Sequence, residues 1–282
     1  MKISLVTLAT AFAVAAAMVA GGAGANGSPF SPGLVQGWDG VLSHDRTVRY
    51  VTLTAPESTI VAIVRVRDGR VLRSRALRGQ YGVPLVAYDG TSGGLSGDGK
   101  RLVVASYGPV PGTSGTTRFA VLDSRSLRTR RISVLDGSWS FDAVAPDGST
   151  LFLVQHVRAG ANPVYRVRPY DVRTGLLRGA IVDRLENEEE MGGEPVSRAA
   201  GAGGRWAYTL YARNGHEPFV HALDTARREA YCIDLPVELG YQRQWRLRLR
   251  LHEHSEVLSV RLGRGQVATI DTSSWDVETT GS

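Results

Sequence analysis

"LSGDGKRLVV" (95–104) decides how this chain reads. Asp98 and Gly99 stand in it ahead of the apolar run Leu102–Val104. An aspartate in such a place folds its carboxylate back onto the backbone amide two residues on, and glycine supplies the positive φ that a tight turn needs. The β-branched run that follows suits a strand. The stretch is therefore a turn entering a strand, and the chain repeats it. "VAPDGSTLFLV" (144–154) and "LSHDRTVRYV" (42–51) carry the same order, and "AGAGGRWAYTL" (200–210) and "LHEHSEVLSV" (251–260) carry it in weaker form. With the turn position as anchor, the copies fall at Asp45, Asp98, Asp147, Ala202 and Glu253, spaced by 53, 49, 55 and 51 residues.

A second anchor follows in every copy, an aspartate that closes an apolar strand: Asp68, Asp123, Asp171, Asp224 and Asp271. It lies 23, 25, 24, 22 and 18 residues after the first. Two anchors in register over five copies define an internal repeat. Each copy reads as strand, tight turn, strand, longer loop, strand, tight turn, strand, a four-stranded antiparallel meander. One such sheet cannot bury both of its faces alone, and stacking the sheets around an axis does so while leaving only short edges.

The turns "SGDGKRLVV" and "APDGSTLFLV" resemble the S-P-D-G-x-x-L-Y-V signature of bacterial YVTN- and WD40-like propeller repeats. The resemblance spans residues 33–280 and is most specific in the second and third copies; Arg46 replaces the turn glycine in the first, and the fourth and fifth lack the aspartate. It implies an all-β β-propeller of about five four-stranded antiparallel blades, with six blades, one degenerate, as the alternative. The repeats would cover approximately 33–87, 88–137, 138–199, 200–240 and 241–280. Propellers of this repeat type mostly serve as binding scaffolds.

The N-terminus reads as an export signal: Lys2, a largely apolar run from Ile3 to Ala20, then Ala23-Gly24-Ala25 as a small-residue exit. Cleavage before Asn26 would leave residues 26–282 as a single propeller domain, long enough for one large core. The rival reading of the apolar run is an uncleaved membrane anchor. No cysteine follows the run to carry lipid; the single cysteine, Cys232, excludes an intrachain disulfide and reads as a buried inert thiol. The formal charge of +6 comes almost wholly from arginine, since lysine stands only at 2 and 100. The arginines are spread out, without a basic stretch interleaved with aromatics, so nucleic acid is a poor fit, and an anionic envelope polymer or another exported protein suits the charge better.

Three motifs suggest chemistry. "GTSGG" (90–94) matches a serine-nucleophile pattern, but it continues into turn and strand where a nucleophile elbow needs a helix, and reads as a glycine-rich loop. "HEH" (252–254) could offer metal ligands on one strand face, yet its register is that of the solvent turn. The acidic run Glu186, Glu188, Glu189, Glu190 lacks calcium-loop spacing. No cofactor or metal is expected.

Equal offsets from the anchors indicate a different site. Nine and eleven residues on, the second to fourth copies bring Tyr107, His156 and Tyr211, then Arg158 and Arg213. Together with the loops 106–117, 155–163 and 183–199 these would line one mouth of the central channel, on the rim opposite the aspartate turns, as an anion- or sugar-binding cleft. The chain is expected to be an exported binding or scaffold propeller without catalysis. The alternatives are a secreted hydrolase or lyase acting on a glycan or lactone at the same rim, favoured by a carboxylate pair or a His–Glu pair on the axis, and a structural envelope protein or partner of a membrane sensor.

Overall fold

The computed structural model describes residues 34–35, 37–160 and 163–280. The expected leader, residues 1–25, and its cleavage before Asn26 lie outside the described residues. A short strand, β1 (Leu34–Val35), precedes a first sheet of β2 (Val41–Leu42), β3 (Val48–Ala55), β4 (Ser58–Arg65) and β5 (Val71–Arg78). β6 (Val83–Pro84) pairs back with β1 as a two-stranded ribbon. The second sheet holds β7 (Arg101–Ala105), β8 (Thr116–Asp123) and β9 (Thr129–Asp136), and the third β10 (Trp139–Val144), β11 (Thr150–Arg158), β12 (Val164–Asp171) and β13 (Met191–Gly192). The fourth is built of β14 (Glu194–Ala200), β15 (Trp206–Ala212), β16 (Phe219–Asp224) and β17 (Glu229–Asp234). After a single helical turn, α1 (Tyr241–Gln244), the fifth follows as β18 (Leu247–His252), β19 (Val257–Leu262), β20 (Gly265–Asp271) and β21 (Val277–Thr279). Apart from the β1–β6 ribbon, every sheet is an antiparallel meander with strands in chain order.

The core explains why the central strands are unbroken apolar runs. Leu102 and Val104 face the first sheet and pack with Tyr50, Val61 and Ile63. Val103 and Phe119 face the other way and pack with Leu151 and Leu153 of the third sheet. Phe152 and Val154 then meet Ala207, Tyr211 and Leu223, and Leu210, Val220 and Ala222 meet Leu247, Leu258 and Ile270. A strand covered on both faces needs apolar side chains at every position, as parallel-sheet strands do. Burying each of these side chains contributes about 1.5–3 kcal/mol.

The anchors occupy turns of one kind. In the first turns Asp45, Asp98 and Asp147 each accept the amide two residues on, from Thr47 (3.1 Å), Lys100 (2.9 Å) and Ser149 (2.9 Å). In the second turns Asp123 accepts from Ser126, Asp171 from Thr174, Asp224 from Ala226 and Arg227, and Asp271 from Ser273. The two turns of a sheet are tied together: Ser124 N–H donates to Lys100, Val172 to Ser149, Thr225 to Arg205 and Thr272 to Glu256. Both sets of aspartates therefore lie at one edge of their sheets. Gly99 takes φ 68° there, and Arg46, in the equivalent place, takes φ 58° at some conformational cost.

The second sheet departs from the four-strand expectation. Its inner edge is split between Gly82, which exchanges both backbone bonds with Ala105 at 2.8 and 2.9 Å, and Gly94, whose carbonyl accepts from Val103 at 2.7 Å. The chain between them leaves the sheet. Among the described residues no helix is long and apolar enough to cross a membrane.

Candidate functional site

The segment 83–93 that leaves the second sheet forms a strap. β6 binds it to β1, and Val86 N–H donates to Thr91 at 2.9 Å to close a narrow loop. The loop reaches the inner strand of the fourth sheet, where Tyr88 N–H donates to the Pro195 carbonyl at 2.9 Å. Asp89 fastens it: one carboxylate oxygen accepts from Thr91, the other from Ser197 Oγ at 2.7 Å and Arg198 N–H at 3.1 Å. Thus "GTSGG" belongs to a strap that bridges the second and fourth sheets, with Ser92 paired to Leu85.

On one side of the strap a cleft opens between the third and fourth sheets. Ser140 and Asp142 of β10, His156 of β11, Tyr165 of β12, Glu194 of β14 and Tyr211 of β15 line it, with Val86 of the strap. It has room for about 30 Å³, roughly two water molecules. His156 Nε2 pairs with Ser140 Oγ at 3.0 Å, the tautomer following from which of them donates. A row of rings runs inward from His156: Tyr165 at 6.5 Å, then Tyr211 at 5.5 Å, then Phe219 stacked at 5.0 Å. Burial pushes Glu194 up to about 7, with the Tyr88 hydroxyl bonded to it as a smaller opposing influence. Burial likewise holds His156 down at about 4, so its ring is neutral at pH 7.

Asp142, in the wall of the cleft, is held in an ion pair with Arg198. Arg198 Nη1 donates to Asp142 Oδ1 at 2.5 Å and to Thr209 Oγ1 at 2.6 Å, and Nη2 donates to the Asp142 carbonyl at 3.0 Å. Both side chains are buried, 7% and 4% exposed. Asp142 Oδ2 and, on the same sheet interface, His221 Nδ1 are buried without a hydrogen-bond partner. Burial lowers His221 from the ordinary histidine value. On the other side of the pair, a cavity of about 360 Å³ opens among the turn segments, with His44, Thr91 and Trp206 in its walls. Gly97 is required there, because a β-carbon would fall 1.8 Å from the Gly203 carbonyl oxygen.

The structure brings His156 and Tyr211 into the cleft, joined through Tyr165. Arg213 stands beyond Phe219, its guanidinium 4.9 Å from that ring, and is held by Asp234 and the Glu217 carbonyl. Tyr107 is 64% exposed on the loop after β7, and Arg158 is exposed where a bulge ends β11; neither forms a wall of the cleft. Sequence reasoning missed Asp142, Arg198, Glu194 and the strap. The available signal was a charge inside an apolar strand, as in "FDAV" (141–144) and "VSRAA" (196–200). In "HEH", His252 pairs with Ser259 Oγ at 3.0 Å and the turn is one 3-10 turn, Glu253–Ser255. Glu190 of the acidic run is bonded by Arg166 at 2.6 Å. Cys232 lies against Met191, Sγ to Sδ 3.6 Å, and burial raises its thiol far above the usual range. Among the described residues no three His, Cys, Asp or Glu side chains are grouped so as to hold a metal.

No family model matches the chain, and no curated protein matches it. Among solved structures, an oligogalacturonate lyase in complex with manganese is similar over 87% of this chain and 65% of its own, at 12% identity and TM-score 0.51. The fold is a β-propeller. The β-propeller domain of Cps50 (Swd1) from Myceliophteria thermophila is similar over 87% of this chain and 68% of its own, at 13% identity and TM-score 0.49. TolB from Acinetobacter baumannii is similar over 83% of this chain at 12% identity and TM-score 0.46, and the chain spans about half (51%) of TolB's length. Similarity at this level is of fold alone, and sites on a propeller have to be argued from their own residues.

Proposed function

We propose that this chain is an exported five-bladed β-propeller that binds a ligand at the cleft between its third and fourth blades. The five meanders, one of them with a split inner edge, support the blade count. Lys2, the apolar run and Ala23-Gly24-Ala25 support export. The observation that carries the binding reading is the convergence, beside the strap, of Glu194, neutral His156, the Tyr165–Tyr211 rings and the unpartnered Asp142 oxygen. Concave places with convergent polar groups and displaced acidities are where ligands bind. The cleft is narrow, so a ligand would insert one end and rest its remainder on the rim near Arg213.

The test is a ligand screen by thermal shift on the parent and on Ser140→Met, which fills the cleft from its wall. A ligand that stabilises the parent and not the variant supports the reading; ligands that stabilise both equally overturn it. A second reading, a hydrolase or lyase, is favoured by one observation: Glu194 and His156 line the same cleft. Turnover of a glycan or lactone that is lost in both Glu194→Gln and His156→Gln would support it.

A further inference from the structure

The charge of the cleft narrows the ligand. Two carboxylates line it, Asp142 and Glu194. One guanidinium answers them, and Arg198 spends its Nη1 on Asp142 Oδ1 and Thr209. The two histidines of the interface are neutral near pH 7 because burial opposes their charging. Asp142 Oδ2 is left as an acceptor with no donor, on a residue 5% exposed. A buried acceptor without a donor is costly, and a charged donor satisfies it best. Phe141, Tyr165 and Tyr211 also line it, among Val86, Val154, Pro163 and Pro195, and aromatic faces attract cations.

We infer that the cleft takes the primary ammonium end of an extended chain, with Asp142 and Glu194 accepting its N–H groups and the tyrosine rings enclosing its first methylene. The inference rests on the cleft being the binding site, and it names the ligand class: an amine-terminated chain such as a lysine side chain, a polyamine or an amino-substituted polymer. The size agrees, since an ammonium group with one methylene replaces about two waters. Arg213 lies farther out, where an anionic group further along the same chain could meet it.

The pH dependence is specific. Ammonium binding favours ionised Glu194. The groups facing Glu194 are Tyr88 of the strap, Tyr241 of α1, Tyr165 of β12, His156 of β11 and Asp142 of β10, with Arg198 on its own strand. Burial raises Tyr88, Tyr165 and Tyr241, so none of these loses its proton between pH 6 and 8. His156, at about 4, stays neutral over the same interval. Glu194, at about 7, is then the group that titrates.

The experiment is calorimetric titration of the full exported chain with n-butylammonium and with 1-butanol at pH 6 and pH 8. The expected result is butylammonium binding about tenfold tighter at pH 8 than at pH 6, the ratio of ionised fractions of a carboxyl at about 7, with 1-butanol at least tenfold weaker. In Glu194→Gln, which leaves the Arg198–Asp142 pair intact, binding should weaken and lose its pH dependence. Equal binding of butanol, or a pH dependence that survives in Glu194→Gln, would overturn the inference. If butylammonium fails to bind while another ligand is lost in Ser140→Met, the amine inference falls and the cleft stands. If every ligand found binds Ser140→Met as it binds the parent, the cleft itself is wrong.

Discussion

Arg198 and Asp142 are joined across the third and fourth sheets by two bonds, Nη1 to the carboxylate at 2.5 Å and Nη2 to the backbone carbonyl at 3.0 Å. Removing one member leaves the other charged, buried and unpaired. Asp142→Ala should therefore cost about 3–5 kcal/mol, read as a lowered denaturant midpoint. Replacing both at once, Asp142→Leu with Arg198→Met, should recover most of the loss, because a buried pair and an apolar pair of similar volume are close in energy. A double variant no more stable than Asp142→Ala would mean that Arg198 serves mainly through Thr209.

The turn aspartates should separate by burial. Asp147 makes one exposed bond to an amide, and Asp147→Ala should cost about 1 kcal/mol. Asp224 is fully buried and accepts from Ala226, Arg227 and twice from Arg205. Burial alone would raise its pKa, but Arg205 and the two amides outweigh it and lower it. A lowered carboxyl stabilises the fold above its unfolded value, near 3.9, and the contribution disappears as the pH falls through the folded value. Asp224→Ala should cost several-fold more than Asp147→Ala at pH 7, and the gap should narrow on acidification below the unfolded aspartate value, about 3.9. Denaturation curves of the two variants at both pH values check this.

These turns were legible because their cause is local: Asp98 and Gly99 need only their own neighbours to fold back. The stacking was legible too, since "LVVA" and "LFLV" have no polar face to give to water. The split inner strand was not. Gly82 and Gly94 look like ordinary loop residues, and only the pairing of both with β7 shows that the chain leaves one strand and rejoins it. The cleft was legible in part. Equal offsets located His156 and Tyr211, but the same offsets led to Tyr107 and Arg158, because β7 ends at Ala105 and a bulge turns the end of β11. Glu194 gives no signal at all in sequence, and its acidity comes from what packs around it.

Glu194 should make stability depend on pH in the opposite sense to the turn aspartates. Its carboxyl is raised by burial to about 7 from an ordinary 4.5, so the folded state holds the proton more tightly than the unfolded one. That contribution is complete below pH 4.5 and is lost as the pH rises through 7. Glutamine cannot lose a proton. Glu194→Gln should therefore gain on the parent between pH 5 and pH 8, by on the order of 2–3 kcal/mol. Melting curves of both proteins across that interval test it; parallel curves would show that Glu194 is ionised throughout.

The strap should open when Asp89 is removed. Asp89 ties the loop to the fourth sheet through Ser197 Oγ and the Arg198 amide, beside two ties from Tyr88, its hydroxyl to Glu194 and its N–H to the Pro195 carbonyl. Its other oxygen shapes the loop by accepting from Thr91 N–H at 3.0 Å and Thr91 Oγ at 2.7 Å. Ser197 would keep a role without it, since its hydroxyl also accepts from Leu249 N–H at 3.0 Å and so joins the fourth sheet to the fifth. The blades should therefore stay packed in Asp89→Ala while the strap loosens, a local opening. Hydrogen exchange separates the two cases. The Tyr88 and Val86 amides should exchange at least tenfold faster than in the parent, while the Val103 and Ala207 amides, on paired strands, should be unchanged. Acceleration of all four together would mean that Asp89 supports the whole ring, and unchanged protection of all four would mean that the β1–β6 ribbon and the Tyr88 bonds hold the strap without Asp89.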